Sequence, residues 1–253
     1  MAEAVRVADG FAGIQVVERS FLLLEHLAAA GGSMSLTELT EASGLPATTI
    51  HRILRTLVAG GYVRQETSKI YTLGPRMIFI GRVAGAFLGA WARPYLGRLV
   101  ERVGETANLA AMDADEVVYL AQVASQRHML RMFVDVGRRV APHATAEGKV
   151  LLAQATDAQI RRLIADRGLP AQTSRTITQE WALMRQIELV REQGYAVDDG
   201  EQELGVRSVA VPVPGGPRDL ALSVSGPETR LSMPALSELV PILQETAMEL
   251  GRL

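Results

Sequence analysis

Residues 44–63 read GLPATTIHRILRTLVAGGYV, and the rest of the chain is organised around them. Gly44 and Pro46 mark a tight turn into a helix, because proline suits the first helical position. Gly60-Gly61 ends that helix where a left-handed residue costs least. Between them Ile50, Ile53, Leu54, Leu57 and Val58 recur at the spacing of one buried helical stripe. At about 100° per residue, Thr48, Arg52, Arg55 and Ala59 fall on the opposite face. Thr49 and Thr56 flank them on one side and His51 on the other. That face is cationic and hydrogen-bonding and carries no acid. It suits a helix lying in a DNA major groove, where arginine forks onto guanine and threonine or histidine reaches phosphates or base edges. Alone, the helix fits equally a bundle helix whose arginines merely face water, so its neighbours decide.

Upstream, Ile14 to Ala30 has helical periodicity, with Val17, Phe21, Leu24 and Ala28 on one stripe and Glu18, Arg19 and Glu25 off it. Residues 1–12 read as a mobile arm. Ser35-Leu36-Thr37-Glu38 is a capping box opening a short helix that ends near Ser43. Two short helices joined at a glycine turn and braced by a first helix make a helix-turn-helix. Downstream, Gly61 to Arg64 and Lys69 to Leu73 are β-prone runs around the polar tip Gln65 to Ser68. A hairpin directly after the helix is a wing, and Arg64 and Lys69 near its tip are placed to reach phosphates. Helix, turn, helix and basic wing in that order favour DNA over a solvated bundle.

Composition agrees. At 253 residues the chain is long enough for two domains, and 48% hydrophobic with 21% charged is ordinary for a soluble globular protein. The net charge of −2 is no global nucleic-acid signature, but Pro46 to Arg76 sets five cations against Glu66 alone. A basic patch on an acidic body is expected where only one part touches phosphate. The absence of cysteine excludes disulfides and thiolate chemistry and agrees with a reducing cytoplasm. Met77 to Ala92, the most apolar run, is interrupted by Arg82 and is too short to span a bilayer. The expectation is a soluble, cytoplasmic protein.

The segments GLPATTIHRILRTLVAGGYV and YTLGPRMIFIG resemble the DNA-binding signature of the IclR (isocitrate lyase regulator) transcription factors. GRRVAPHATAEGKVLLA (137–153), GYAVDDGEQELGVRSVAVPV (194–213) and ALSVSGPETRL (221–231) are similar, in the same order, to blocks of that family's effector domain. The resemblance spans most of the chain. It implies a regulator that binds double-stranded operator DNA and a small-molecule effector, an organic acid or an aromatic metabolite, as a homodimer or homotetramer. It also implies effector contacts at Ala146, Glu147, Asp198, Ser208, Ser223 and Ser225. Glu147 stands where the family's residue is usually small or apolar. A carboxylate there opposes an anionic effector unless it turns to solvent or pairs with Lys149 or an arginine.

The residues themselves support an α+β second domain. Gly81, Gly85 and Gly89 recur every fourth residue after Gly74-Pro75, a smooth face for a linker helix to pack either in a dimer interface or within one subunit. A second helix runs from Arg93 to Val103, with Pro94 in its first turn. Thr106 to Met112 and Val117 to Val123 around Asp113–Glu116 form a hairpin, and Met129 to Val134 a third strand. Helices follow at about 145–155, 157–166 and 178–193, then a hairpin over 207–226 and a helix from Pro234 to Gly251. Hairpins and helices without strict β-α alternation point to an antiparallel sheet. The free N–H groups at Thr145–Gly148 suit a carboxylate, with Lys149 adding charge. Ser223 and Ser225 face one side of their strand, where half-buried serines also bond within the sheet. The resulting division is 1–74, a winged helix-turn-helix; 75–92, a linker helix; and 93–253, an effector-binding domain.

Catalysis and metal binding are not expected. Asp198, Asp199, Glu201 and Glu203 read as a solvated acidic loop with only Asp198 turned inward. The four histidines lack metal spacing, and His143 reads as a structural hydrogen-bonder. No phosphate loop, dinucleotide fingerprint or nucleophile elbow occurs, and no cofactor is expected. Two competing classes remain: an enzyme with a winged-helix accessory, and a winged helix that binds protein.

Overall fold

The computed structural model of the chain describes residues 13–66, 69–127, 135–215 and 220–252. The arm expected over residues 1–12 and the strand expected over Met129 to Val134 lie outside them. The chain forms two compact units that divide between Ala84 and Gly85.

The first unit runs α1 (Gln15–Ala29), β1 (Ser33–Ser35), α2 (Leu36–Ser43), α3 (Ala47–Ala59), β2 (Val63–Gln65) and β3 (Ile70–Leu73), and α4 (Arg76–Leu88) begins in it. Leu23 and Leu27 of α1, Leu39 of α2, and Ile50 and Leu54 of α3 close its core. The capping box forms as read: Ser35 accepts from the Glu38 amide, and Glu38 accepts from the Ser35 amide. Gly44 ends α2 with a left-handed φ of 67°, the turn that aims α3. The wing is a hairpin with Val63 opposite Leu73. It gains a third strand that the sequence reading misses, because β1 pairs with β3. The stripe expected on α1 needs correction. Leu23, Leu24 and Leu27 face the core, whereas Val17 and Phe21 are exposed. The leucine run offers a second stripe at helical spacing, rotated from the first, and this unit's own core uses that one.

In the second unit, a single 3-10 turn (Ala90–Ala92) leads into α5 (Arg93–Val103), whose first turn holds Pro94 as expected. Then come β4 (Thr106–Asp113), β5 (Glu116–Val123), β6 (Arg139–Val140), α6 (Ala146–Gln154), α7 (Asp157–Arg167), α8 (Glu180–Gln193), β7 (Ala196–Asp199), β8 (Val206–Val213), β9 (Leu220–Pro227) and α9 (Met233–Leu250). The sheet is antiparallel in the order β6-β5-β4-β9-β8-β7. Its edge strands β6 and β7 are additions to the sequence reading.

The two faces of the sheet are dressed differently. On one, Leu109, Val209, Leu222 and Val224 pack with Leu96 and Leu99 of α5 and Leu243 of α9. On the other, Ala110, Ala196, Ala210 and Ala221 meet Ala146, Val150 and Leu151 of α6. Short alanine side chains let α6 lie close, so Ala146 through Leu152 are all buried. Gly148 completes the seating: a Cβ on it would stand 2.1 Å from the Pro142 carbonyl oxygen. A Cβ on Gly89 would be equally constrained, 2.0 Å from the Leu120 carbonyl oxygen, whereas at Gly81 and Gly85 it would meet nothing within 4 Å among the described residues. Among those residues the glycine row is thus used inside the subunit at Gly89 and not at the other two.

These contacts set opposite outcomes for the same substitution. Gly148→Ala and Gly89→Ala each lower stability by about 1–3 kcal/mol through overpacking against backbone. Gly81→Ala raises it by up to about 1 kcal/mol through helix propensity alone. Urea denaturation of the three variants checks the contrast.

Candidate functional site

On α3 the buried and exposed faces separate as the spacing requires. Ile50, Ile53 and Leu54 are buried, while Thr48, His51, Arg52 and Arg55 are exposed and Thr49 is half-buried. Among the described residues neither Arg52 nor Arg55 has an ion-pair partner, so both guanidinium forks remain available. The wing cations differ. Arg64 on β2 lies 3.8 Å from Glu66, both side chains in solvent, a contact that competes weakly with phosphate. Lys69 is exposed, and its positive φ of 61° closes the wing turn, its amide donating to the Glu66 carbonyl. Arg76, the fifth cation of the run, is committed elsewhere: its guanidinium donates to the Gly60 carbonyl at 3.0 Å and lies over the Tyr62 ring. It steadies the C-terminal end of α3, where carbonyls lack helical partners.

The second candidate lies under α6, where the sheet face changes from alanine to polar. The registers place Thr106, Ser225, Ser208 and Asp198 in one row across β4, β9, β8 and β7. Asn108 and Ser223 begin the adjoining row, which Ala210 and Ala196 continue. Side chains two apart on a strand share a face, so alternation gathers these groups. A cavity of about 60 Å³ opens there, between Asn108, Ser208, Ser225 and Asp198 from the sheet and Thr145 and Glu147 from the start of α6. Tyr119, Val140 and Val206 add walls; Arg138, Gln202 and Glu203 also line it. Of the expected effector residues, Glu147, Asp198, Ser208 and Ser225 line the cavity. Ser223 stands behind Glu147, and Ala146 lies in the apolar layer between α6 and the sheet.

A hydrogen-bond chain ties the site together. Gln122 donates to Asn108 Oδ1 at 2.9 Å, and Asn108 Nδ2 donates to Ser223 Oγ and Ser225 Oγ at 3.1 and 3.2 Å. Ser223 Oγ then donates to Glu147 Oε1. The serines therefore bond within the sheet and also face the site. Asn108, Gln122 and Tyr119 are additions to the sequence-based set. Asn108 carried a signal, since it and Thr106 are polar residues spaced by two in an otherwise apolar strand.

Electrostatics overturn one expectation. Lys149 does not serve the mouth of the helix. Its buried ammonium pairs with Glu201 and donates to the Val197 carbonyl at 2.9 Å. Glu201 is therefore turned inward, whereas Asp199 pairs with Arg207 and Glu203 remains exposed; the acidic stretch is not one solvated loop. Glu147 neither turns to solvent nor pairs with Lys149. Burial raises its carboxyl above the usual range, while Ser223 and its own amide act in the opposite direction. Asp198 is pushed up to about 7, chiefly by burial, against the Glu201 amide, which donates to it at 2.7 Å. The Tyr119 hydroxyl is raised as well, by burial and then by Glu147 and Asp198. His143 is structural: Nε2 donates to the Pro170 carbonyl at 3.0 Å, and burial lowers its basicity. Among the described residues no cluster suits a metal ion, and no helix is long and apolar enough to cross a membrane.

The chain resembles known proteins along nearly its whole length. Residues 16–67 match the model of the IclR helix-turn-helix domain, and residues 83–252 that of the bacterial transcriptional regulator IclR C-terminal domain. It is 33% identical to the transcriptional repressor IclR of Escherichia coli K12, covering 97% of this chain and 92% of that protein. A crystal structure of an IclR transcriptional regulator from Alicyclobacillus acidocaldarius superposes with a TM-score of 0.83 at 30% identity, over 95% of this chain and 98% of the other. An IclR homolog from Microbacterium hydrocarbonoxydans, solved in complex with 4-hydroxybenzoate, gives 0.76 at 25% identity, over 92% and 95%. These relatives are regulators, which sets the enzyme reading aside.

Asp198 makes the site visible in stability. A carboxyl raised on folding binds more protons in the native state than in the unfolded chain between about pH 4 and 7. Its contribution is thus least unfavourable at acid pH and becomes fully unfavourable above 7. Asp198→Asn, which cannot ionise, is expected to be more stable than the parent at pH 8 by about 2–4 kcal/mol, with the gap closing towards pH 4. Urea titrations across that range check the sign.

Proposed function

The chain belongs to the IclR family of bacterial transcriptional regulators, and we propose that it is a cytoplasmic sensor whose grip on operator DNA changes when a small metabolite enters the cavity beneath α6. The observation that carries this reading is the presence of an acid-free arginine face on the recognition helix, without ion-pair partners among the described residues, and of a partly open cavity bearing buried polar groups in the other unit. On this reading the chain divides into a DNA-binding domain over 1–74, a linker helix over 75–92 and an effector domain over 93–253. Thr48, Thr49, His51, Arg52 and Arg55 enter the major groove, while Arg64 and Lys69 on the wing hold the backbone. Glu147, Asp198, Ser208 and Ser225 meet the effector. Ser223 supports Glu147 from behind, and Ala146 sets how closely α6 approaches.

The regulator acts as a dimer or dimer of dimers. Two recognition helices then read half-sites about one helical turn apart, and the operator is a pseudo-palindrome. Gly81 and Gly85, whose Cβ positions are open within the subunit, suit the approach of a second linker helix. Effector control is a population shift: a ligand that binds one arrangement better moves the equilibrium by its differential affinity and no further.

Arg52→Ala is expected to weaken binding to a duplex from the gene's own upstream region by about 1–3 kcal/mol, roughly fivefold to 150-fold. Lys69→Ala should instead flatten the salt dependence with little change in sequence preference. Fluorescence anisotropy at several salt concentrations separates the two, and salt-insensitive or absent duplex binding would favour a protein-binding winged helix. Replacing Ser223 and Ser225 together by alanine should leave DNA affinity without effector unchanged and blunt effector-triggered release in the same assay.

A further inference from the structure

From the balance of donors and acceptors around the cavity, we infer that its ligand carries a protonated nitrogen, an ammonium or amidinium group seated between Glu147 and Asp198. This rests on reading the cavity as the effector site.

The charged and titratable groups facing it can be named element by element. β5 contributes Tyr119, and Arg138 lies just before β6. α6 contributes Glu147, β7 contributes Asp198, and Glu203 follows in the next loop; Lys149 and Glu201 stand outside the lining and act on Asp198. Lys149 is consumed by Glu201 and a backbone carbonyl. Arg138 is exposed at the rim, where its charge acts on the Tyr119 hydroxyl. Among the described residues the interior therefore holds two carboxyls and no uncommitted cation.

The hydroxyls of Tyr119, Ser208 and Ser225 in the lining donate or accept as a ligand requires, and the other polar atoms leave acceptors in excess. Both Asn108 Nδ2 bonds go to serines, Ser223 spends its hydroxyl hydrogen on Glu147, and Gln122 is spent on Asn108. Thr145 Oγ1 and the Glu147 carboxylate occupy the first-turn amides of α6, at Gly148 and at Glu147 itself. Two of the first-turn donors that would hold a ligand's carboxylate are thus already engaged by the chain's own side chains. Against this, Gln202 Oε1 and Glu201 Oε2 are buried acceptors without a hydrogen-bond partner among the described residues. Glu201 is 7% exposed. The unmet acceptor of Gln202 in the lining, beside two desolvated carboxyls, calls for a donor, and a cationic donor satisfies charge and hydrogen bonding together.

Proton linkage gives the test its sign. Seating a cation favours both carboxylates and releases protons, so affinity rises with pH. Seating a carboxylate requires proton uptake, so affinity falls. Three planar molecules of one shape carry the charges needed: acetamidinium, acetamide and acetate. Each is titrated into the full-length protein at pH 6 and pH 8, followed by ligand-dependent thermal shift and by NMR.

Acetamidinium is expected to bind most tightly, about tenfold tighter at pH 8 than at pH 6, and to lose at least tenfold in both Glu147→Gln and Asp198→Asn. Two variants are used so that a folding defect in one cannot mimic the loss. Tighter binding of acetate, strengthening towards pH 6 and weakened by Ser225→Ala, would overturn the ligand class and leave the effector cavity standing. Preference for acetamide with no pH dependence would do the same. If none of the three shifts a resonance or the melting temperature, both the ligand class and the cavity's role fall.

Discussion

The seating of α6 against the sheet is the constraint from which the rest of the second unit follows. Four alanines across the strands and Gly148 in the helix remove the side chains that would hold the two apart. A helix that close cannot turn Glu147 or Lys149 to water, so both charged residues are buried. Burying an unpaired charge costs several kcal/mol, which forces each to find an answer nearby. Lys149 finds Glu201 across the turn after β7. Among the described residues Glu147 finds only a hydroxyl and its own amide, and its carboxyl is pushed towards the neutral form. The polar cavity is the space left where the alanine rows end.

The same logic, with solvent in place of burial, operates on α3. Its apolar stripe is spent on Leu23, Leu27 and Leu39, and what remains is a face of short side chains and two arginines in water. An exposed arginine that meets no acid keeps its hydration until a phosphate or a base edge displaces it. Arg76 shows the alternative: recruited to the Gly60 carbonyl and the Tyr62 ring, it serves the fold. A basic count along a sequence mixes these roles, and only the contacts separate them.

Much of this was legible beforehand because it rests on local chemistry. The period of α3, the capping box at Ser35, the turn at Gly44 and the proline in α5 are each decided within a few residues. What escaped was decided at a distance. β1 and β6 are three and two residues long, too short to carry any alternation, and exist because a neighbouring strand offers its edge. β7 reads Ala-Val-Asp-Asp, and its aspartates look like loop residues until Arg207 and the cavity are beside them. The α1 stripe failed for a related reason. Two apolar stripes are written on that helix, and spacing alone does not say which of them the unit's own core takes. In the cavity, the resemblance pointed to Glu147 and Asp198 and polar spacing on β4 marked Asn108, while Tyr119 and Gln122 became visible only through strand register.

Size and charge together then bear on how such a cavity would signal. A space of about 60 Å³ holds a group of a few heavy atoms, whereas pockets for drug-sized ligands are usually at least several times larger. A longer ligand must move something, and the movable partners are the hydrogen bond from Ser223 to Glu147 and the loop carrying Gln202 and Glu203. Parting Ser223 from Glu147 would leave a buried carboxyl without its donor, a cost that a neutral or anionic ligand would increase and a cationic one would offset. If the cavity is the effector site, the energy available to shift the regulator between states would be the difference in how well the ligand answers Glu147 in each. A ligand that fits without disturbing that contact would bind both states alike and alter nothing on the DNA.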